Sequence, residues 1–191
     1  MAKMFDHIEP EHRRFIARQP VFFTASAAAG SRINLSPKGL DALRVLDERQ
    51  VVYLDRTGSG NETAAHLAAD GRLTLMFCAF GGAPLILRLY GRGEVLPRGG
   101  AAYQALLADH FAGAEPPGAR QMVRLKVELV QTSCGYGVPL MAYEGDRESL
   151  DRWAQAQGPD GLVAYRAQKN RLSLDGLPTG LMEPEDQPTE A

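Results

Sequence analysis

The sequence is poor in the features that announce the commoner chemistries. It has two cysteines, Cys78 and Cys134, too few and too far apart for a disulfide framework. The four histidines, His7, His12, His66 and His110, are scattered and have no cysteine or carboxylate at metal-ligand spacing, so no metal site is expected. The formal net charge is only -2, which gives no electrostatic reason to expect nucleic acid or an anionic membrane as partner. The longest apolar run, LTLMFCAF, is far too short to span a bilayer, and the N-terminus MAKMFDHIEPEHRRF lacks the apolar stretch of a signal peptide. These absences point to a cytoplasmic chain with reduced thiols. Also missing are the Gly-Lys-Ser/Thr of a Walker loop, the GxGxxG of a dinucleotide site and the GxSxG of a nucleophile elbow.

What is present is a globular composition over 191 residues, 45% apolar and 23% charged, which suits one core. The apolar pattern predicts a helix over residues 4–18, ended by Pro20. VFFTASAAAGSRINLS reads as two strands about a turn at residues 29–31. SPKGLDALRVLDE allows a helix capped at Ser36-Pro37, with Leu40, Leu43 and Leu46 on one face, or a loop and a short strand, and the second is the preferred reading. VVYLD is a strand rich in β-branched and aromatic residues. A helix over Glu62–Ala69 follows, stopped by Gly71. RLTLMFCAF is a buried strand, and LILRLYGRGEVL is another, bent at Gly91 or Gly93. GAAYQALLADHF is helical. QMVRLKVELVQ alternates Val123, Leu125, Val127 and Leu129 with Arg124, Lys126 and Glu128, the mark of a half-buried antiparallel strand. DRESLDRWAQAQ and GLVAYRAQKN are helices joined at Gly158-Pro159, with Leu150 and Trp153 as a buried stripe. Residues 1–182 form one domain on this reading, and the acidic, proline-rich tail 183–191 is expected to be disordered. Strands first and helices last imply an α+β domain or a small barrel with peripheral helices.

The informative stretch is VVYLDRTGSGNETAAHLAADG, a strand, a glycine-rich turn and a helix. Ser59 and Glu62 have the spacing of a capping box. That reading leaves the glycines unexplained, because two glycines let a backbone approach a ligand closely. Thr57, Ser59, Asn61 and Thr63 add donors where a helix start already attracts anions. His66 is read as surface or half-buried, Cys134 as a small residue in a turn, Tyr136 as packing or as the flank of a bound ring, and Arg166, Lys169 and Arg171 as a solvated helix face.

The ordered series INLSPKG, VVYLDRTGSGNETAAHLAADGRLTLMFCAF and LILRLYGRGEVL resembles the pyridoxamine 5′-phosphate oxidase-like family of FMN-binding split barrels. SCGYGVP and NRLSLDGLPTG are similar to segments of one branch of it. The resemblance implies a mainly β fold, a six-stranded antiparallel split barrel of Greek-key type. It also implies a homodimer with FMN at the subunit interface and a small-molecule substrate. Mapped onto this chain, it implies cofactor contacts at Asn34, Ser36, Lys38, Thr57, Ser59, Asn61, Thr63 and Arg88. The Arg-Lys pair frequent in the family's phosphate turn is replaced by Asn61 and Glu62, and an arginine-rich substrate pattern near the C-terminus is not evident. These departures argue against pyridoxamine phosphate as substrate. The implied activity is FMN-dependent hydride or electron transfer, with no residue standing out as catalytic. The alternative is a non-catalytic split barrel that carries FMN, deazaflavin or haem.

Overall fold

A computed structural model describes residues 2–181; the tail predicted to be disordered lies outside the described residues. The strands are β1 (Lys3–Phe5), β2 (Phe22–Ser26), β3 (Asn34–Lys38), β4 (Leu43–Val45), β5 (Gln50–Arg56), β6 (Arg72–Cys78), β7 (Ile86–Pro97) and β8 (Ala119–Ser133). The helices are α1 (Pro10–Ile16), α2 (Glu62–Ala69), α3 (Ala101–His110) and α4 (Ser149–Lys169). All eight strands join one antiparallel sheet, in the order β3-β2-β6-β7-β8-β5-β4, with β1 pairing the second half of β8. Among the described residues the strand count is therefore eight rather than six. The two extra strands, β1 and β4, are only three residues long. β1 overlaps the start of the segment predicted as a helix over 4–18, where pairing with Val130–Thr132 overrides local periodicity.

The sheet curls into a split barrel because its two ends are joined in sequence. β3 ends at Lys38 and β4 begins at Leu43, so the link 39–42 draws opposite edges of the sheet together. Leu40 and Asp41 in this link adopt φ of 60° and 51°, a left-handed conformation disfavoured for residues with a side chain. The long strands alternate as their sequences require. Leu73, Leu75, Phe77, Leu87, Leu89, Val123, Leu125 and Val127 point inward, where Phe22 and Tyr53 meet them. A second cluster packs Tyr103 and Leu107 of α3 on Val52, Leu54 and Met122 of the opposite face.

β7 carries the expected irregularity. The register shifts between Tyr90 and Gly91, and a Cβ at Gly91 would lie 1.9 Å from the Lys126 carbonyl oxygen. Only glycine permits that approach. α4 likewise kinks where expected, at Gly158 with φ 65° and ψ 175°. Its two halves fold onto one another through an edge-to-face contact of Trp153 with Tyr165 at 5.0 Å, which leaves Trp153 half-buried rather than buried.

Candidate functional site

The open seam of the barrel, between β3 and the β5–α2 turn, holds a cleft of about 280 Å³. β3 contributes the side chains that alternate away from the outer surface: Asn34, Ser36 and Lys38. The turn contributes Gly58, Ser59, Gly60 and Asn61, and the first turn of α2 contributes Glu62 and Thr63. Six of the eight sequence-predicted residues thus line one cleft: Asn34, Ser36, Lys38, Ser59, Asn61 and Thr63.

Thr57 and Arg88 do not. Thr57 is buried, and its hydroxyl donates to the Gly118 carbonyl at 2.9 Å, pinning the turn to the start of β8. Arg88 lies on the outer face of the sheet, in the cross-strand row Pro37, Phe23, Met76, Arg88, Gln131, and donates to Ser133 Oγ at 3.3 Å. Three strand spacings place it roughly 14 Å from β3.

The floor of the cleft is a buried charge network that the sequence did not reveal. Asp55 is 3% exposed and accepts from Lys38 Nζ at 2.6 Å, Arg120 Nε at 2.9 Å and Gln121 Nε2 at 2.9 Å. Burial pushes the Asp55 carboxyl up, but the Arg120 guanidinium and the Lys38 ammonium outweigh it and hold the group well below the ordinary carboxylate range. Arg120 also donates to the Gly60 carbonyl at 2.9 Å and to Asn170 Oδ1 at 2.7 Å, so it clamps the turn from below. The only sequence signal for Asp55 and Arg120 was charge at the ends of apolar strands. Strand ends are ordinarily wet, so the signal does not distinguish them.

The capping box does not form. α2 starts at Glu62, with Asn61 at the N-cap, so Glu62 is the first helical residue and cannot reach back as a third would. Its carboxylate instead accepts from the backbone N–H of Leu174, at 2.9 Å and 3.1 Å, and ties the C-terminal segment across the helix start. Asp175 of that segment pairs with Arg32, and Asn170 Nδ2 donates to the Gly58 carbonyl at 3.0 Å. The segment therefore braces the turn from outside. Two further expectations are corrected here. Arg166 is buried, donating to Thr57 Oγ1 at 3.4 Å, whereas Lys169 and Arg171 are exposed. His66 is 1% exposed, with Nδ1 3.1 Å from Ser26 Oγ, because α2 packs its inner face on β2.

Asn34 and Asn61 show how the polar lining is held. Asn34 Nδ2 donates to Thr63 Oγ1 at 3.0 Å, fixing β3 against α2. Asn61 is 2% exposed; its Oδ1 accepts from Gln121 at 2.8 Å, while its Nδ2 has no partner among the described residues. A buried amide donor left unpaired costs about 1–3 kcal/mol, so an acceptor at this point of the cleft would be strongly favoured. Elsewhere, Glu9, Glu11 and His12 come together at the start of α1, but Glu9 and His12 are engaged in a reciprocal helix cap.

Comparison with known proteins agrees with this architecture. Residues 8–134 match the family described as pyridoxamine 5′-phosphate oxidase. The chain is 37% identical over 194 residues to the pyridoxamine 5′-phosphate oxidase family protein ustO of Aspergillus flavus, covering 93% of this chain and 78% of that one. Among solved structures, HupZ of Group A Streptococcus has a TM-score of 0.52 at 22% identity, covering 64% of this chain and 91% of its own. A candidate pyridoxamine 5′-phosphate oxidase of Lactobacillus delbrueckii has a TM-score of 0.51 at 20% identity, covering 66% and 94%. The structural likenesses share the fold; the sequence matches reach through the seam, the turn and the strands that flank them. The chain belongs to the pyridoxamine 5′-phosphate oxidase family.

Proposed function

We propose that the protein binds FMN as a homodimer and acts as an oxidoreductase on a small molecule, with the cofactor phosphate seated in the seam cleft. The observation that carries this reading is the buried, unpaired Asn61 Nδ2 in a cleft that also presents Lys38 and Arg120. The residues present fit a phosphate. The lining holds three cations, Lys38, Arg56 and Arg120, against the two carboxylates of Asp55 and Glu62. Ser36 and Ser59 hydroxyls and the start of α2 add donors. A Cβ at Gly58 would meet nothing within 4 Å, so the chain itself does not require a glycine there, whereas a close ligand would.

When bound, the flavin supplies hydride or single-electron transfer at N5. The work of this chain is binding and orientation. Asp55 holds Lys38 and Arg120 in place, Arg120 fixes the turn through the Gly60 carbonyl, and the Glu62–Leu174 bond draws the second carboxylate of the cleft into a structural contact. The cleft is sized for the phosphate and the adjoining ribityl chain, so the ring must extend beyond it. The outer face supports a partner subunit there. It carries Phe23, Met76 and Tyr90 half-buried and Leu35 63% exposed, with Arg88 among them. A second copy on this face would bring its own Arg88 toward the shared cofactor.

The test is the absorbance spectrum of the protein as isolated and after incubation with FMN, combined with its mass in solution. A yellow dimer whose flavin is reduced by NADH or NADPH is expected. A colourless protein that takes up no FMN at micromolar concentration overturns the reading. Flavin uptake without reduction by either nucleotide, or turnover of any substrate offered, favours a carrier.

A further inference from the structure

The barrel has a second opening, away from the seam cleft. Its mouth lies beneath α1, between the start of β2 and β4, and encloses about 560 Å³. No residue lines both this mouth and the seam cleft; the link 39–42 separates them, with Lys38 on one side and Gly39 on the other. The volume falls in the range of small-molecule sites, about 300–1,000 Å³.

The interior of the mouth is apolar. Ile16, Phe22 and Phe77 form its base, and Leu43 and Val45, both half-buried, form one wall. The rim is charged, and its charges do not cancel. Arg44 is taken up by Asp41, to which it donates through both terminal nitrogens, and by the His110 carbonyl. Arg13 donates once, to the Val45 carbonyl at 3.1 Å, and forms no ion pair among the described residues. The Arg18 guanidinium has no partner among the described residues. Against these stands Asp146, which lines the same mouth and hydrogen-bonds with Tyr143. With the Arg44–Asp41 pair set aside, two cations face one anion, an excess of a single positive charge above an apolar floor.

We infer that this mouth binds a small amphipathic monocarboxylate, its apolar body against Phe22, Phe77 and Leu43 and its carboxylate at Arg18 and Arg13. A guanidinium matches a carboxylate in bidentate geometry, and one excess charge suits a monoanion better than a phosphate dianion. An uncharged analogue would leave the arginines unsatisfied by ligand, and a short polar acid would leave the half-buried Leu43 and Val45 wall wet. The site is independent of the flavin cleft.

Calorimetric titration of the full-length protein with octanoate, benzoate, acetate and 1-octanol tests this, with and without FMN. Saturable octanoate or benzoate binding is expected, at least tenfold tighter than acetate or 1-octanol and unchanged by FMN. Arg18→Gln, at an exposed position that the fold does not need, should weaken octanoate at least fivefold, and Val45→Glu on the wall should abolish it while the thermal melting curve stays cooperative. Absence of saturable binding overturns the inference, as does equal binding to Arg18→Gln or to 1-octanol. Octanoate that competes with FMN would place the ligand in the seam cleft instead and would equally overturn it. Because the titration is run without FMN as well, its failure is distinguishable from a failure to bind flavin.

Discussion

Lys38 Nζ donates to Asp55 Oδ1 at 2.6 Å, and through that bond β3, at one edge of the sheet, is tied across the open seam to β5 near the other. The bond is largely shielded from solvent, with the Asp55 side chain 4% exposed and that of Lys38 23%. Arg120 completes the arrangement from β8. The same three side chains close the barrel and charge the floor of the cleft.

Removing the carboxylate should therefore unsettle both. In Asp55→Asn, the Lys38 and Arg120 cations lose their common partner, and breaking a buried pair in this way costs about 3–5 kcal/mol. Urea denaturation should show that loss at pH 7. A change below about 1 kcal/mol would mean that solvent or another group compensates.

The acid dependence follows with a definite sign. The folded-state pKa of Asp55 is depressed, so its contribution to stability is fully present above the unfolded value of about 3.9 and is lost as pH falls through the lower folded value. Wild-type stability should thus decline steeply below about pH 4. Asp55→Asn, already destabilised, should show a shallower decline in the same window, measured by denaturant midpoints at each pH.

Two substitutions in the turn separate architecture from binding. Ser59 is exposed and makes no cap, so Ser59→Ala should alter stability by no more than about 0.5 kcal/mol, and its effect should appear in the FMN dissociation constant. Thr57→Val removes the hydroxyl that holds the Gly118 carbonyl and should cost about 1 kcal/mol of stability while leaving FMN affinity within about twofold. The reverse pattern in fluorescence titrations and melts would return Thr57 to the phosphate.

Lys38→Met tests the cation itself. A hydrogen bond to a charged group is worth about 1.5–3 kcal/mol, so FMN should bind about tenfold to a hundredfold more weakly. Flavin fluorescence quenching reads this directly, and an unchanged constant would assign the phosphate to Arg120 alone.

Glu62→Ala should free the C-terminal segment. The carboxylate accepts from the Leu174 N–H and has no capping role, so hydrogen exchange should rise at Leu174 while the interior amides of α2 stay protected. Equal deprotection of both would mean that Glu62 supports the helix after all.

Much of the fold can be read from local pattern. The alternation of Val123, Leu125 and Val127 marks β8, Gly91 marks the bulge where the Lys126 carbonyl comes close, and Gly158-Pro159 marks the break in α4. Each of these depends on backbone chemistry or on which face is dry, and both are properties of a few neighbouring residues. Of the six cleft-lining residues, Ser59, Asn61 and Thr63 were legible in the donor-rich turn itself, whereas Asn34, Ser36 and Lys38 were legible only through family resemblance.

What tertiary structure alone decided is partnership. Asp55 and Arg120 are 65 residues apart, and Glu62 and Leu174 are 112 apart. Charge and hydrogen-bonding capacity are written in the sequence, but the identity of the group that answers them is set by sheet register and by the closure of the seam. So the sequence determined that this chain makes a curled antiparallel sheet with a donor-rich turn. Only the folded chain decided that Glu62 serves the C-terminal segment, that Thr57 and Arg88 stand outside the cleft, and that a buried aspartate holds its two cations together.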